Sequence, residues 1–225
     1  MQSPLKENEP GIGIILIPHN NAERFCTRMQ RDVLPTLRAH PSWKFQLIFI
    51  DNSDEDKKQQ PDFSKEENVE YSYAWPGNNI MYGPAMNIAV SLCKHPYFIY
   101  ICSNHGRMYD ATWIDDLINP LTQNPKIAMA GSLYPSCNPT DMGFSHHLPR
   151  VHIQGGVFAA RTNAIAKHPY SNDERWKHWI SDIYQSFALM TAGYILHPVK
   201  TINSVWRECL PSPERWKYVH DYSED

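Results

Sequence analysis

The sequence predicts an α/β fold in which a mostly parallel central sheet is covered by helices on both faces. Three observations lead to this fold class. Short apolar, β-branched runs alternate along the chain with stretches of helical period. Turn-forming residues separate the two kinds of segment. Several runs contain few polar atoms, which is typical of strands buried on both faces. The predicted strands are residues 11–17, 46–50, 69–74, 97–102, 127–133, 151–160 and 194–199, and the predicted helices are residues 22–34, 82–93, 112–121 and 182–191.

The first half of the chain opens with an isoleucine-rich strand at residues 11–17. In the helix that follows, Phe25 and Met29 are four residues apart, which is the helical spacing. Because Pro35 has no backbone N–H, we expect it to kink or end this helix. Residues 55–68 are polar and charged, which indicates a solvated loop or a frayed helix.

The second half is divided by clear helix and strand signals. Thr112 is a candidate N-cap for the third helix. Residues 136–149 contain several turn formers and predict a loop. Gly155 and Gly156 predict a break in the sixth strand, and Gly193 predicts a C-cap that closes the last helix.

Length and composition narrow the functional classes. The chain has 225 residues without an internal repeat or linker, so we expect a single domain over residues 1–225. A net charge of -3 provides no basic field for a nucleic-acid backbone. No apolar run reaches the roughly 20 residues of a membrane span, and the N-terminus has no signal pattern, which predicts a cytoplasmic protein. The five cysteines are scattered and without C-x-x-C spacing, which indicates reduced thiols.

Ligands of open α/β sheets bind at the carboxyl ends of the strands. In this sequence, four polar segments fall at such positions, and we expect them to border one cleft. They are residues 18–21, 51–54, 103–107 and, at the glycine pair of the sixth strand, 154–156.

Several short motifs occur in a recognisable order along residues 13–194. They are Pro18 followed by Asn20-Asn21, Asp51-Asn52-Ser53 after the second strand, Tyr82-Gly83-Pro84-Ala85-Met86-Asn87 at a helix start, Asp110 to Leu117, Gly155 to Arg161, and Asp182 followed by Ala192-Gly193-Tyr194. Together they resemble the inverting glycosyltransferases with the GT-A fold, known as family 2. The resemblance implies a hexosyltransferase that moves a sugar from a nucleotide-sugar donor to a hydroxyl of a glycan, lipid, protein or small molecule. Among the nucleotide sugars, it favours a UDP-sugar as the donor.

The resemblance also implies roles for residues at the predicted cleft. Asp51 would accept the N3 proton of uracil, and Ser53 would bond ribose or base. The remaining donor-binding candidates are Pro18, His19, Asn20, Asn79 and Gly83. Each role competes with a structural one, since Asp51 and Ser53 are common turn residues and Gly83 also permits close backbone approach.

Asp182 is the candidate general base. Inverting transfer needs a group that takes the proton of the acceptor hydroxyl, and the resemblance places such a carboxylate at this helix start. The competing interpretation is that Asp182 stabilises the helix N-terminus through the helix dipole. Trp176 and Trp179, just upstream, could pack against a sugar ring or belong to the core.

The acidic Asp-x-Asp metal motif of the family is absent, because the corresponding stretch reads Cys102-Ser103-Asn104-His105-Gly106-Arg107. Three explanations are open. His105 and a neighbour could bind a metal ion, and imidazole suits Mn²⁺ or Zn²⁺ better than Mg²⁺. The enzyme could work without metal, with Asn104, His105 and Arg107 binding the diphosphate. The chain could instead be an inactive nucleotide- or glycan-binding module.

Other classes have less support. A nucleotidyltransferase or a dinucleotide-binding enzyme would carry a glycine-rich phosphate loop. Neither GxGxxG nor GxxxxGK[ST] occurs in this sequence. His146 and His147 have metal-ligand side chains, but they are adjacent in a predicted loop, and we interpret them as solvated or facing an acceptor.

Overall fold

A computed structural model describes residues 11–63, 66, 69–102, 112–178 and 180–199. Its strands are β1 (Gly11–Leu16), β2 (Lys44–Ile50), β3 (Val69–Ala74), β4 (Tyr97–Ile101), β5 (Ile127–Pro135), β6 (Val151–Arg161) and β7 (Ile195–Pro198). They form one seven-stranded sheet in the order β3-β2-β1-β4-β6-β5-β7. Only β6 runs against its neighbours in this sheet. The predicted mostly parallel α/β fold is therefore confirmed.

The helices are α1 (Ala22–Arg28), α2 (Leu34–Arg38), α3 (Tyr82–Leu92), α4 (Trp113–Gln123), α5 (Thr162–Lys167) and α6 (Ser181–Thr191). Short 3₁₀ turns at Glu55–Lys57 and Pro139–Met142 interrupt the two longest loops of the described chain. Within the described residues, no helix is both long and apolar enough to cross a lipid bilayer.

Two hydrophobic clusters cover the two faces of the sheet. Along β1, Ile14 and Leu16 point into one cluster with α1, α2 and α4, whereas Ile15 points into the other with α3, α5 and α6. All three side chains are fully buried. Successive side chains of a strand point to opposite faces, so an uninterrupted apolar run is what a strand covered on both faces requires.

The first helix does not end at Pro35. A π-helical turn over Met29–Val33 precedes Pro35, and α2 continues to Arg38. The irregularity that Pro35 predicts takes the form of this π-helical turn, whereas the predicted end at residue 34 is wrong. Pro35 lies in the first turn of α2, where its fixed φ suits the helical backbone.

The predicted break at Gly155-Gly156 is also wrong in its form. Strand β6 is continuous through both glycines, but its register with β5 shifts between Gly131 and Leu133. The irregularity therefore lies in the pairing of the strands, as in a β-bulge.

Two predicted helix ends have different outcomes. Thr112 occupies the N-cap position of α4, but its backbone is already helical and its side chain makes no capping hydrogen bond. Gly193 has a φ of 85°, and the N–H groups of Gly193 and Tyr194 donate to the carbonyls of Met190 and Leu189, both at 3.0 Å. This is a Schellman C-cap, and the prediction at Gly193 is confirmed.

The loop between β5 and β6 is closed at its base. The N–H of Ser136 donates to the carbonyl of Arg150 at 2.8 Å, which continues the hairpin ladder by one step. No disulfide joins the described cysteines, namely Cys26, Cys93, Cys102 and Cys137.

Candidate functional site

The loops that follow β1 and β2 are joined by a set of reciprocal hydrogen bonds. The N–H of Asn20 donates to Ser53 Oγ at 2.8 Å. The Asn20 amide donates to Asp54 Oδ2 at 2.9 Å and accepts from the Asp54 N–H at 3.1 Å. Asn20 has a φ of 55°, a conformation that Asn tolerates better than most residues. The structure thus brings two of the predicted cleft segments together.

Asn52 is the centre of this arrangement, and the sequence analysis assigned it no role. Its N–H donates to the carbonyl of Pro18 at 3.0 Å, and its own carbonyl bonds His19 Nδ1 at 2.9 Å. Its amide group donates to Asn79 Oδ1 and accepts from the Ile80 N–H, each at 2.9 Å. Asn52 therefore ties the loops after β1, β2 and β3 into one unit.

Asp51 differs from its predicted setting because its side chain is fully buried. Oδ2 accepts from the Gln59 N–H at 2.7 Å and from the Tyr73 hydroxyl at 3.2 Å. Oδ1 is buried and has no partner among the described residues. Burial, followed by the charge of Asp51, raises the pKa of Tyr73 to about 12. Asp51 therefore holds the loop after β2 and retains one free acceptor oxygen.

An open pocket lies beside Asp51 and is lined by Lys58, Gln60, Tyr73 and Trp75. Trp75 is fixed by its indole N–H, which donates to the carbonyl of Ser53 at 3.1 Å. The ammonium of Lys58 lies 4.0 Å from the centre of the Trp75 ring. The pocket combines two aromatic side chains with polar groups, which suits a flat, polar ligand.

Gly83 and Asn87, one turn apart on α3, hold the segment that leads into α6. The Gly83 N–H donates to the Lys177 carbonyl at 2.8 Å, and a Cβ at Gly83 would lie 2.9 Å from the Ser171 carbonyl. The Asn87 amide donates to the Tyr170 carbonyl and accepts from its N–H, both at 2.9 Å. Of the two roles considered for Gly83, the structure displays close backbone approach.

Asp182 lies in the first turn of α6 and links this helix to β6. Its Oδ2 accepts from the Gly155 N–H at 2.8 Å, and its Oδ1 accepts from the Ile183 N–H at 2.9 Å. Part of the residue remains exposed. Burial raises the pKa of the Asp182 carboxyl, while the charge of His152 and the two N–H donors act in the opposite direction. Each oxygen keeps a lone pair, so the carboxylate can still accept a proton.

Three tyrosines pack against each other near this carboxylate. The ring of Tyr82 is edge-on to Tyr100 at 5.3 Å and to Tyr170 at 5.5 Å. Burial, supplemented by the charge of Asp182, raises the pKa of all three hydroxyls. The Tyr82 and Tyr170 hydroxyls are buried, and each affects the pKa of the other. The three tyrosines are far apart in the sequence, so no sequence pattern predicts that they form a cluster.

The two groups of residues face the same region. Burial and then the charge of His19 lower the pKa of His178. His178 follows Lys177, whose carbonyl bonds Gly83. The carboxyl-end loops of β1 and β2 are thus close to the segment that precedes Asp182.

Asn104, His105 and Arg107 lie outside the described residues, as does Trp179. Within the described chain, no cluster of three or more His, Cys, Asp or Glu side chains fits a metal ion. His146 and His147 are exposed, with ring centres 3.7 Å apart.

No protein-family model matches this sequence, and no curated protein is similar to it. Among solved structures, a mannosyltransferase from Pyrobaculum calidifontis in complex with GDP-mannose and Mn²⁺ has a similar fold, with a TM-score of 0.60. The identity is 9%, and the match covers 87% of this chain but only 56% of the mannosyltransferase. At this identity the similarity concerns architecture alone, and the chain has a Rossmann-like α/β fold similar to that of this mannosyltransferase.

Proposed function

We propose that this protein transfers a sugar from a nucleotide-sugar donor to a hydroxyl acceptor, with Asp182 as the general base. The observation that carries the proposal is the setting of Asp182. Its carboxylate is oriented by two backbone N–H groups, and the residue as a whole is partly exposed. Burial raises its pKa, which makes it a stronger base than an ordinary aspartate at the pH where it is ionised.

In the proposed reaction, the acceptor oxygen attacks the anomeric carbon and its proton passes to Asp182. The bond between the anomeric carbon and the diphosphate oxygen breaks, and its electron pair leaves with the nucleoside diphosphate. Attack opposite to the leaving group inverts the configuration at the anomeric carbon. The two N–H donors to Asp182 keep its carboxylate in place before the acceptor binds, which reduces the cost of orientation.

For the donor, we propose that the base occupies the pocket beside Asp51. Trp75 and Tyr73 supply aromatic surface. Asp51, whose Oδ2 accepts from the Tyr73 hydroxyl, is buried and does not line the pocket, so its unpartnered Oδ1 becomes an acceptor for the base only when the loop after β2 shifts. Uracil presents one imide N–H, which matches one free oxygen. Guanine presents two adjacent donors, and the second oxygen of Asp51 is already occupied by Gln59 and Tyr73. This difference favours UDP over the GDP bound by the Pyrobaculum enzyme.

The diphosphate partner remains a proposal from the sequence. Arg107 carries a fixed charge and a fork of donors suited to phosphate. Asn104 and His105 come just before Arg107 in the sequence that follows β4. When bound, a divalent cation would neutralise charge on the diphosphate, and the steps assigned to Asp182 and Asp51 do not require it.

Calorimetric titration with UDP, GDP and UDP-sugars, first in EDTA and then with Mn²⁺, tests the donor. We expect UDP to bind more tightly than GDP. In Trp75→Ala, we expect the affinity for UDP to fall by about tenfold or more, because the base loses its stacking surface. Asp182→Asn should bind UDP like the wild type and lose transfer by about 10²-fold or more. Binding that survives EDTA assigns the diphosphate to Arg107 or His105.

The result that would overturn the proposal is equally concrete. If no nucleotide or nucleotide sugar binds in either condition, the chain is not a transferase of this kind. Binding of UDP-sugar without transfer to any hydroxyl acceptor, and without hydrolysis, would instead identify an inactive nucleotide-binding module.

A further inference from the structure

A lysine ammonium covers aromatic surface in the pocket that follows β2 and β3. Lys58 and Trp75 both line this pocket, and Lys58 Nζ lies over the Trp75 ring, 4.0 Å from its centre. The orientation of the ring is fixed, because its indole N–H donates to the carbonyl of Ser53 at 3.1 Å. A planar ligand that stacks on this part of Trp75 therefore has to take the place of the ammonium.

The ammonium of Lys58 is held only weakly. Apart from the ring, it contacts Glu55, whose Oε1 lies 3.9 Å away. The two side chains are 44% and 79% exposed, and an ion pair that is so exposed to water contributes little to stability. A cation–π contact at an exposed site is also weak. Since stacking of a base on an aromatic side chain is generally stronger than either contact, a base can displace the ammonium.

The backbone beside Lys58, in contrast, is tethered. The N–H of the next residue, Gln59, donates at 2.7 Å to Oδ2 of the buried Asp51. The same oxygen accepts from the Tyr73 hydroxyl on β3 at 3.2 Å. An ammonium that leaves the Trp75 ring is therefore still attached to a stem that begins beside the pocket.

The charge of Lys58 has no equivalent in this pocket. Among the described residues that line it, Lys58 alone carries a positive charge. The neighbouring Lys57 is directed elsewhere, with its Nζ 3.6 Å from Asp54 Oδ2. A lysine ammonium is a compact charge on a flexible stem, and phosphate is one of its common ligands. A ligand that carries both a base and a phosphate can thus displace this ammonium and also bind it.

We propose that Lys58 is a specificity-determining residue, which makes the pocket select a nucleotide over a nucleoside. The inference rests on the proposed function and adds the basis on which the pocket distinguishes its ligands. In the free protein, the ammonium over Trp75 opposes the stacking of any base. A nucleoside displaces the ammonium without compensation, whereas the phosphate oxygens of a nucleoside diphosphate accept hydrogen bonds from it.

The first test compares the affinities for UDP and uridine in the wild type, Lys58→Gln and Lys57→Gln, by titration in EDTA at one salt concentration. Uridine should bind Lys58→Gln about two- to fivefold more tightly, because the competing cation is gone. UDP should bind it about fivefold more weakly, because the phosphate loses a positive charge. The ratio of the two affinities should therefore fall by about tenfold or more. Lys57→Gln removes the same charge from the same loop and should change this ratio by about twofold or less.

The second test observes Lys58 directly by NMR. In the free protein, the ring current of Trp75 should shift the ε-methylene protons of Lys58 upfield, and the signal is identified by its loss in Lys58→Gln. Trp75→Ala should return this signal to the position of an ordinary lysine, and saturation with UDP should move it in the same direction. An ε-methylene signal that does not change when UDP binds overturns the inference.

The outcomes separate this inference from the proposed function. If UDP binds but the ratio of UDP to uridine affinity is the same in the wild type and Lys58→Gln, the nucleotide site stands and the role of Lys58 is overturned. An equal fall of this ratio in both lysine variants indicates a general effect of charge and overturns it as well. If neither UDP nor uridine binds any of the three proteins, the proposed function itself fails, and the inference fails with it.

Discussion

The N–H of Gly155 donates to Oδ2 of Asp182 at 2.8 Å, across the contact between β6 and α6. This bond is made at the place where β6 loses its register with β5. The irregular pairing therefore lets the strand bond the helix at the candidate base. A Cβ at this position would lie 3.3 Å from the same carboxylate oxygen, so an alanine would require Asp182 to shift by a few tenths of an ångström.

Gly155→Ala should reduce transfer while leaving the fold intact. The new methyl group would press on Asp182 Oδ2, and a small displacement of a base lowers the rate steeply. We expect a loss of about 10- to 100-fold in kcat with unchanged UDP binding. Gly193→Ala is the matched control, because its positive φ costs stability far from the site. Equal kcat in Gly155→Ala and wild type would contradict the role of this contact.

Gly83→Ala should destabilise the protein, and Ser181→Ala should partly restore it. A Cβ at Gly83 would lie 2.9 Å from both the Ser171 carbonyl and Ser181 Oγ. The hydroxyl can be removed, whereas the carbonyl cannot, so the double variant relieves one of two clashes. We expect a loss of about 1–3 kcal/mol in the single variant, measured by urea unfolding. Additive effects in the double-mutant cycle would show that the predicted contact is absent.

The stability of the wild type relative to Asp182→Asn should fall as the pH rises. The pKa of Asp182 is higher in the folded protein than in the unfolded chain, so the native state binds the proton more tightly. The associated stability is present below the ordinary aspartate pKa of about 3.9 and is lost as the pH passes through the folded pKa. Urea unfolding of both proteins between pH 4 and 7 measures the difference. If the stability of the wild type rises with pH relative to that of Asp182→Asn, the pKa of Asp182 is not raised on folding.

Asp51→Asn should weaken the loop after β2 and change the titration of a tyrosine. The amide oxygen of an asparagine can take the Oδ2 position and accept from the Gln59 N–H and the Tyr73 hydroxyl. Both bonds then lose the charge of the acceptor, and the amide nitrogen lies unpartnered at the buried Oδ1 position, so we expect a loss of about 1–3 kcal/mol. Removing the charge also lowers the pKa of Tyr73 from about 12. Ultraviolet titration against Tyr73→Phe identifies that group. If the Tyr73 midpoint does not change, the two side chains are not in contact.

The sheet could be predicted from sequence because its signals are local. The Ile-rich run of β1 and the glycine at Gly193 act through neighbours in the chain, and both have the predicted outcome. Pro35 was harder, because its effect depends on whether the preceding turn can widen, as the π-helical turn at Met29–Val33 does.

The site was less predictable because its contacts join distant parts of the chain. Asn52 and Asn79 bond across two strand ends, and nothing beside either residue announces the other. The burial of Asp51 and the occupation of its Oδ2 depend on how residues 55–63 fold back over β2. For Gly155, the sequence indicated an irregularity, but the nature of that irregularity follows from the position of α6.

The bond between Ser136 and Arg150 has a consequence for how the protein can change over time. This hydrogen bond closes the base of the loop over residues 137–149. Insertions within the loop therefore need not disturb β5 or β6. Doubling the length of such a loop costs only about 0.6 kcal/mol in closure entropy. New recognition surfaces can therefore be exchanged at this point, by selection or by grafting, while the strand that bonds Asp182 keeps its geometry.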